Sequence, residues 1–147
     1  MYEERKDEGA REVVAGRVAE LRKLEAAERA LADALCTYAR AAPGGGQVLH
    51  LAERHFELAA LLAKRIAALG GEPQVEADDQ WILGAPEKLT TIVSAEEAAI
   101  RTYHDHLLDL DPETMLLVRD RILPAHADAL EALTGSRSVE DLSPEYG

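Results

Sequence analysis

A chain of 147 residues is the size of one domain with one core, since folded domains cluster at roughly 100 to 150 residues. Its 16 Lys and Arg against 28 Asp and Glu leave a net charge of -12. A surface that acidic repels phosphate backbones and anionic headgroups, which excludes nucleic acid and membranes as partners. Apolar residues make up 47%, rich in Ala and Leu, with one Trp, one Phe and four Tyr, a mixture that favours helices over strands.

The start, "MYEERKDEGAREVV", is charged where a signal peptide has an apolar core, and no apolar run approaches the ~18 residues of a membrane span. The lone Cys36 permits no intrachain disulfide, which fits a cytoplasmic location.

The first helix is predicted over 10–42, with a stripe of Val14, Val18, Leu21, Leu24, Glu28, Leu31, Leu35 and Tyr38 in steps of three and four. "APGGGQ" ends it. The second covers 47–69 through Leu51, His55, Leu58, Leu62, Ile66 and Leu69, and Gly70-Gly71 allows a left-handed stop before Pro73. Residues 70–85, "GGEPQVEADDQWILGA", lack helical periodicity and form a long connection, with Trp81 and Ile82 either pinning it to the bundle or forming a lid over a pocket. The third helix is expected over 86–110, opening at Pro86 and carrying Leu89, Val93, Glu96, Ile100, Tyr103, Leu107 and Leu110. "DLDPET" is a stop and start in which Asp111 caps and Pro112 takes the first turn. The fourth covers 112–133 through Leu116, Ile122, His126, Ala129 or Leu130, and Leu133, with a kink at Pro124. From Thr134 no stripe is sustained, and 134–147 is expected to be a flexible tail.

The short joins make helices 1 and 2, and helices 3 and 4, antiparallel hairpins. The sixteen residues between the hairpins reach about 53 Å when extended, enough to cross the ~35 Å length of helix 2. The expected fold is therefore an all-α four-helix bundle of the ferritin-like kind, two hairpins joined by a long crossover.

Each stripe is apolar except at one place: Glu28, His55, Glu96 and His126. Unpartnered burial of such groups costs several kcal/mol, so they must meet one another, water or a metal. Equal distances from the hairpin loop put Glu96 and His126 at one level, centred in "DLDP". Glu28 and His55 instead come out staggered by about five residues, or roughly 7 Å.

The chain resembles the ferritin-like superfamily, in particular the small rubrerythrin-related bacterial proteins, over about Leu21 to Leu133 through "LLAKRIAALGGEP", "AEEAAIRTYHDHL" and "LVRDRILPAHADALEAL". The resemblance implies a carboxylate-rich di-iron site that activates oxygen or peroxide, or oxidises iron for storage. It places one Glu-x-x-His at His55 and Leu58 and the other at Leu123 and His126, so both bridging glutamates and one histidine are missing. An acid is retained on helix 3 in Glu96 or Glu97 and on helix 1 in Glu28 or Glu25. A di-iron centre needs more hard carboxylate oxygens than remain.

The reading favoured at this point is a degenerate, non-enzymatic bundle for assembly or partner binding, in which Glu96 and His126 form a buried pair with Tyr103. The alternative is a metal-binding protein or oxidoreductase that uses Glu28, His55, Glu96 or Glu97, and His126 for iron or zinc. His104 and His106, about 200° apart on a helix, read as a solvated face, and His50 with Glu53 as a surface pair. Helix 1 overhangs helix 2 through Val14 and Val18, interrupted by Gly9 and Gly16, and a homodimer through this overhang is expected.

Overall fold

A computed structural model describes residues 2–42, 45–72 and 86–146. The long helices are α1 (Tyr2–Ala41), α2 (Gly46–Ala68) and α3 (Leu89–His106). The fourth rod is built from α4 (Pro112–Leu117), a π-helical turn (Val118–Ile122) and α5 (Leu123–Tyr146). Together they form an all-α four-helix bundle, and no described helix is long and apolar enough to cross a membrane.

Two apolar clusters fix the directions of the rods. One holds Leu31, Leu35, Ala52, Ile92 and Leu133, with Tyr38, Val48 and Leu89 packed on it, at the end bearing the α1–α2 loop. The other holds Val18, Leu21, Leu62, Ile66, Tyr103, Leu110, Val118 and Ile122 at the far end. Each fully buried Leu or Ile contributes about 1.5–3 kcal/mol. Moving along the chain, α1 runs towards the loop end, α2 and α3 away from it, and the fourth rod back towards it. Glu72 and Pro86 therefore stand towards opposite ends of the bundle; residues 73–85, with Trp81 and Ile82 and the expected crossover, lie outside the described residues.

Several helix ends follow from local chemistry. Gly70 has φ +86°, the Gly70 N–H donates to the Ala67 carbonyl and the Gly71 N–H to that of Ile66, so the left-handed stop forms. A Cβ on Gly71 would lie 2.5 Å from Val18 Cγ1, which puts the end of α2 level with Val18. α1 is continuous through Gly9 and Gly16 and overhangs that point, with Val13 54% exposed. α3 starts three residues later than expected: Lys88 is extended (φ -102°, ψ 132°), and its carbonyl accepts the first bonds of the helix, from Thr91 and Ile92. α3 gives way after His106 to a 3-10 turn, Leu107–Asp109, instead of reaching residue 110. α5 extends past Thr134 to Tyr146.

The π-helical turn precedes Pro124, whose ring opposes the carbonyl four residues back. It also corrects the stripe of the fourth rod. Thr114, Val118, Ile122 and His126 are buried while Leu116 is 49% exposed. Four-residue steps drift by about 40° each on an ideal α-helix, and the wider turn takes most of that drift back.

The stagger expected between Glu28 and His55 is absent, and Gly45 explains why. Its backbone lies so close to α1 that a Cβ there would sit 2.1 Å from the Ala39 carbonyl oxygen. The chain folds back along α1, so α2 starts level with Ala39 and not beyond Ala42. Counted from that contact, Glu28 and His55 stand almost equally far down their helices. Gly45→Ala is expected to cost about 1–3 kcal/mol through overpacking against backbone. Urea denaturation checks this, and an unchanged midpoint would show that the loop is free to move away.

Candidate metal centre

Glu28, His55, Glu96 and His126 occupy the layer between the two apolar clusters, one from each rod, and each is at most 1% exposed. They close a ring. His55 Nδ1 meets Glu28 Oε1 at 2.8 Å and His55 Nε2 meets Glu96 Oε2 at 2.6 Å. His126 Nδ1 meets Glu96 Oε1 at 2.7 Å and His126 Nε2 meets Glu28 Oε2 at 2.5 Å. The imidazole centroids are 4.6 Å apart. The buried Tyr103 hydroxyl donates to Glu28 Oε2 and its ring lies 5.5 Å from that of His126.

The ring has a definite proton inventory. With both carboxylates ionised, as their lowered pKa values favour, they only accept, so all four ring nitrogens donate and both imidazoles carry two protons. Burial pushes the His126 imidazolium down, but the charge and hydrogen bond of Glu28 and then those of Glu96 outweigh it and hold the group at about 10. His55 is opposed by burial in the same way and raised by its bonds to Glu28 and Glu96, then by their charges. Burial lifts the Glu28 carboxyl, yet the charge and hydrogen bond of His126, followed by those of His55, bring it to about 2. Glu96 is also lowered, its two histidine partners overriding burial. Burial and then the charge of Glu28 raise Tyr103 well above its ordinary value, so it remains a donor.

One ligand atom each of Glu28, His55 and His126 lies within 4.8 Å of the others, so this group could hold a metal ion. A cation held tetrahedrally at about 2.0–2.1 Å sets its ligands about 3.4 Å apart, so the widest separation in the group would close by somewhat more than an ångström. A di-iron set does not assemble at the positions the resemblance marks: Leu58 is buried in the far-end cluster, and Leu123 packs against it.

Glu97, one residue and about 100° around α3 from Glu96, is exposed and stays outside the ring. Glu25 is buried, but its Oε2 accepts from Arg29 Nε and Nη2 at 3.2 and 2.8 Å. Tyr103 bonds Glu28 rather than the expected Glu96–His126 pair. His106 reaches across to Glu20 at 3.0 Å, and His50 and Glu53 sit exposed at 3.7 Å.

Sequence reasoning missed a second polar cluster. Arg65 on α2 donates to Asp111 Oδ2 at 3.0 Å, Glu113 Oε2 at 2.9 Å and Thr114 Oγ1 at 3.2 Å. Asp111 itself accepts from the Thr114 N–H and hydroxyl as the cap of α4. The available signal was the cap at Asp111 with its acidic first turn; nothing in one sequence pairs it with Arg65.

No family model, curated protein or solved structure matches the chain.

Stability of the metal-free chain should follow the ring's protons. His126, raised from 6.5 to about 10, stabilises fully below pH 6.5 and loses this as pH rises towards 10. Glu28, lowered from 4.5 to about 2, stabilises fully above pH 4.5 and loses this as pH falls towards 2. Urea midpoints in EDTA should therefore peak between pH 4.5 and 6.5 and fall on either side; a flat profile from pH 6.5 to 9 would refute the imidazolium ring. His126→Ala should cost about 3–5 kcal/mol, because it strands buried carboxylates. Replacing all four ring residues with Leu or Met should cost far less, as the same denaturation assay would reveal.

Proposed function

We propose that the protein is a metal-binding four-helix bundle whose centre holds one transition-metal ion, iron or zinc, on Glu28, His55 and His126. The convergence of these three side chains from three different rods carries the reading. Two imidazoles and one carboxylate are a donor set that suits Zn(II) and Fe(II). The neighbouring groups favour it as well. Glu96 accepts from the ring nitrogen of each histidine that faces away from Glu28, which would fix both tautomers with the other nitrogen turned towards the ion. Tyr103 orients Glu28. When bound, such an ion supplies Lewis-acid or one-electron chemistry, while the chain's own part is to hold three ligands still in a layer closed to water. That closure favours binding over turnover of a substrate.

A second reading is the degenerate bundle in which protons alone close the ring. The match of four nitrogens to four carboxylate oxygens supports it. Metal analysis of untagged protein after incubation with ferrous iron or zinc separates the two. Metal binding predicts one ion per chain, its loss in His126→Ala and Glu28→Gln, and an affinity about 10- to 100-fold weaker in Glu96→Gln, which removes a supporting contact only. Uptake should release protons and tighten with rising pH, as imidazole ligands require. No ion bound after reconstitution would leave the proton-closed ring as the answer.

A further inference from the structure

We propose that the groove between α2 and the fourth rod binds a small amphiphilic anion, an aliphatic carboxylate. The groove has a volume of about 550 Å³, within the range of small-molecule sites. Its lining is divided by chemistry. Leu58, Leu61 and Ala125 give an apolar floor, and Arg54, Lys64 and Arg121 give a cationic rim, with Glu57 as the one acid in the lining. On a chain with a net charge of -12, three cations around one concavity is a local inversion of sign. Arg54 is engaged only at long range, 3.6 Å from Asp128. Lys64 and Arg121 have no ion pair or hydrogen-bond partner among the described residues.

Charge and floor together select the ligand. A bare inorganic anion would meet the rim and leave the partly exposed Leu61 wet. A neutral apolar molecule would cover the floor and desolvate cations without pairing them. A carboxylate on a short alkyl chain satisfies both, its head between Lys64 and Arg121 and its tail over the leucines. The site does not depend on the metal reading. It lies just outside the ring, since Leu58 follows His55 by one turn and Ala125 precedes His126.

Octanoate titrated calorimetrically into the full chain in EDTA tests the proposal without any metal. Binding at one site per chain is expected, with NMR shift changes centred on Leu58, Leu61 and Ala125. Lys64→Gln and Arg121→Gln should each weaken it about fivefold, the equivalent of roughly 1 kcal/mol for a partly exposed charge contact. Both residues are exposed, so circular dichroism should show the fold unchanged in each variant. Octylammonium, of reversed charge, and inorganic phosphate, without a tail, should bind far more weakly. No detectable octanoate binding, equal binding by the double variant, or equal binding of octylammonium or phosphate would each overturn the proposal.

Discussion

An ionised carboxylate or imidazolium in a helical core loses its hydration and recovers the loss only through partners placed at hydrogen-bond distance. Four such groups in one layer therefore constrain the bundle more tightly than its leucines do. Apolar side chains tolerate a shift of a helix by a fraction of a turn, whereas the ring of Glu28, His55, Glu96 and His126 requires all four rods to agree in height and rotation. Such a layer is a weak source of net stability and a strong source of register, a role attested for buried polar groups in other helical assemblies.

The backbone features that depart from ideal helices serve that requirement. Gly45 lets α2 begin beside Ala39, which lowers His55 to the level of Glu28. The π-helical turn at Val118–Ile122 keeps His126 on the buried side after three four-residue steps. Arg65 ties α2 to the cap of α4, holding the start of the fourth rod against the second. Burial alone would raise the Asp111 carboxyl, but the Thr114 hydroxyl and N–H and the Arg65 guanidinium bring it below its ordinary value, so the tie stays charged at neutral pH.

Much of this was legible in the stripes. One polar residue interrupted each, and those four are the ones the structure brings together. Their meeting across α1 and α2 was not legible, because the middle of the loop is not what sets the height; the contact that sets it is a glycine folded onto the helix before it. Leu116 falls on the stripe but not in the core for a related reason: a constant 3.6-residue period cannot register an inserted π turn. Glu97 and Glu25 could not be separated from Glu96 and Glu28 by type or by neighbourhood along the chain, and it took the rotation of each helix to separate them. The Arg65 cluster lay beyond reach because its partners are more than forty residues apart.

A metal-holding form of the ring would differ from the proton-closed form by exchange at the same atoms. A proton on His55 Nδ1 and another on His126 Nε2 face Glu28, and a divalent ion placed there would carry the charge that those two protons carry. The layer can be neutral either way, which removes the usual electrostatic penalty for an empty buried metal site. The side facing Glu96 is not equivalent, for the only phenol touching the ring among the described residues donates to Glu28. With Glu28 held by Tyr103 and both imidazoles held by Glu96, the three proposed ligands each have a partner that would stay in place as protons leave. Preorganisation of this kind reduces the cost of binding, since the ligands already face one another and have only to close in as the two protons leave.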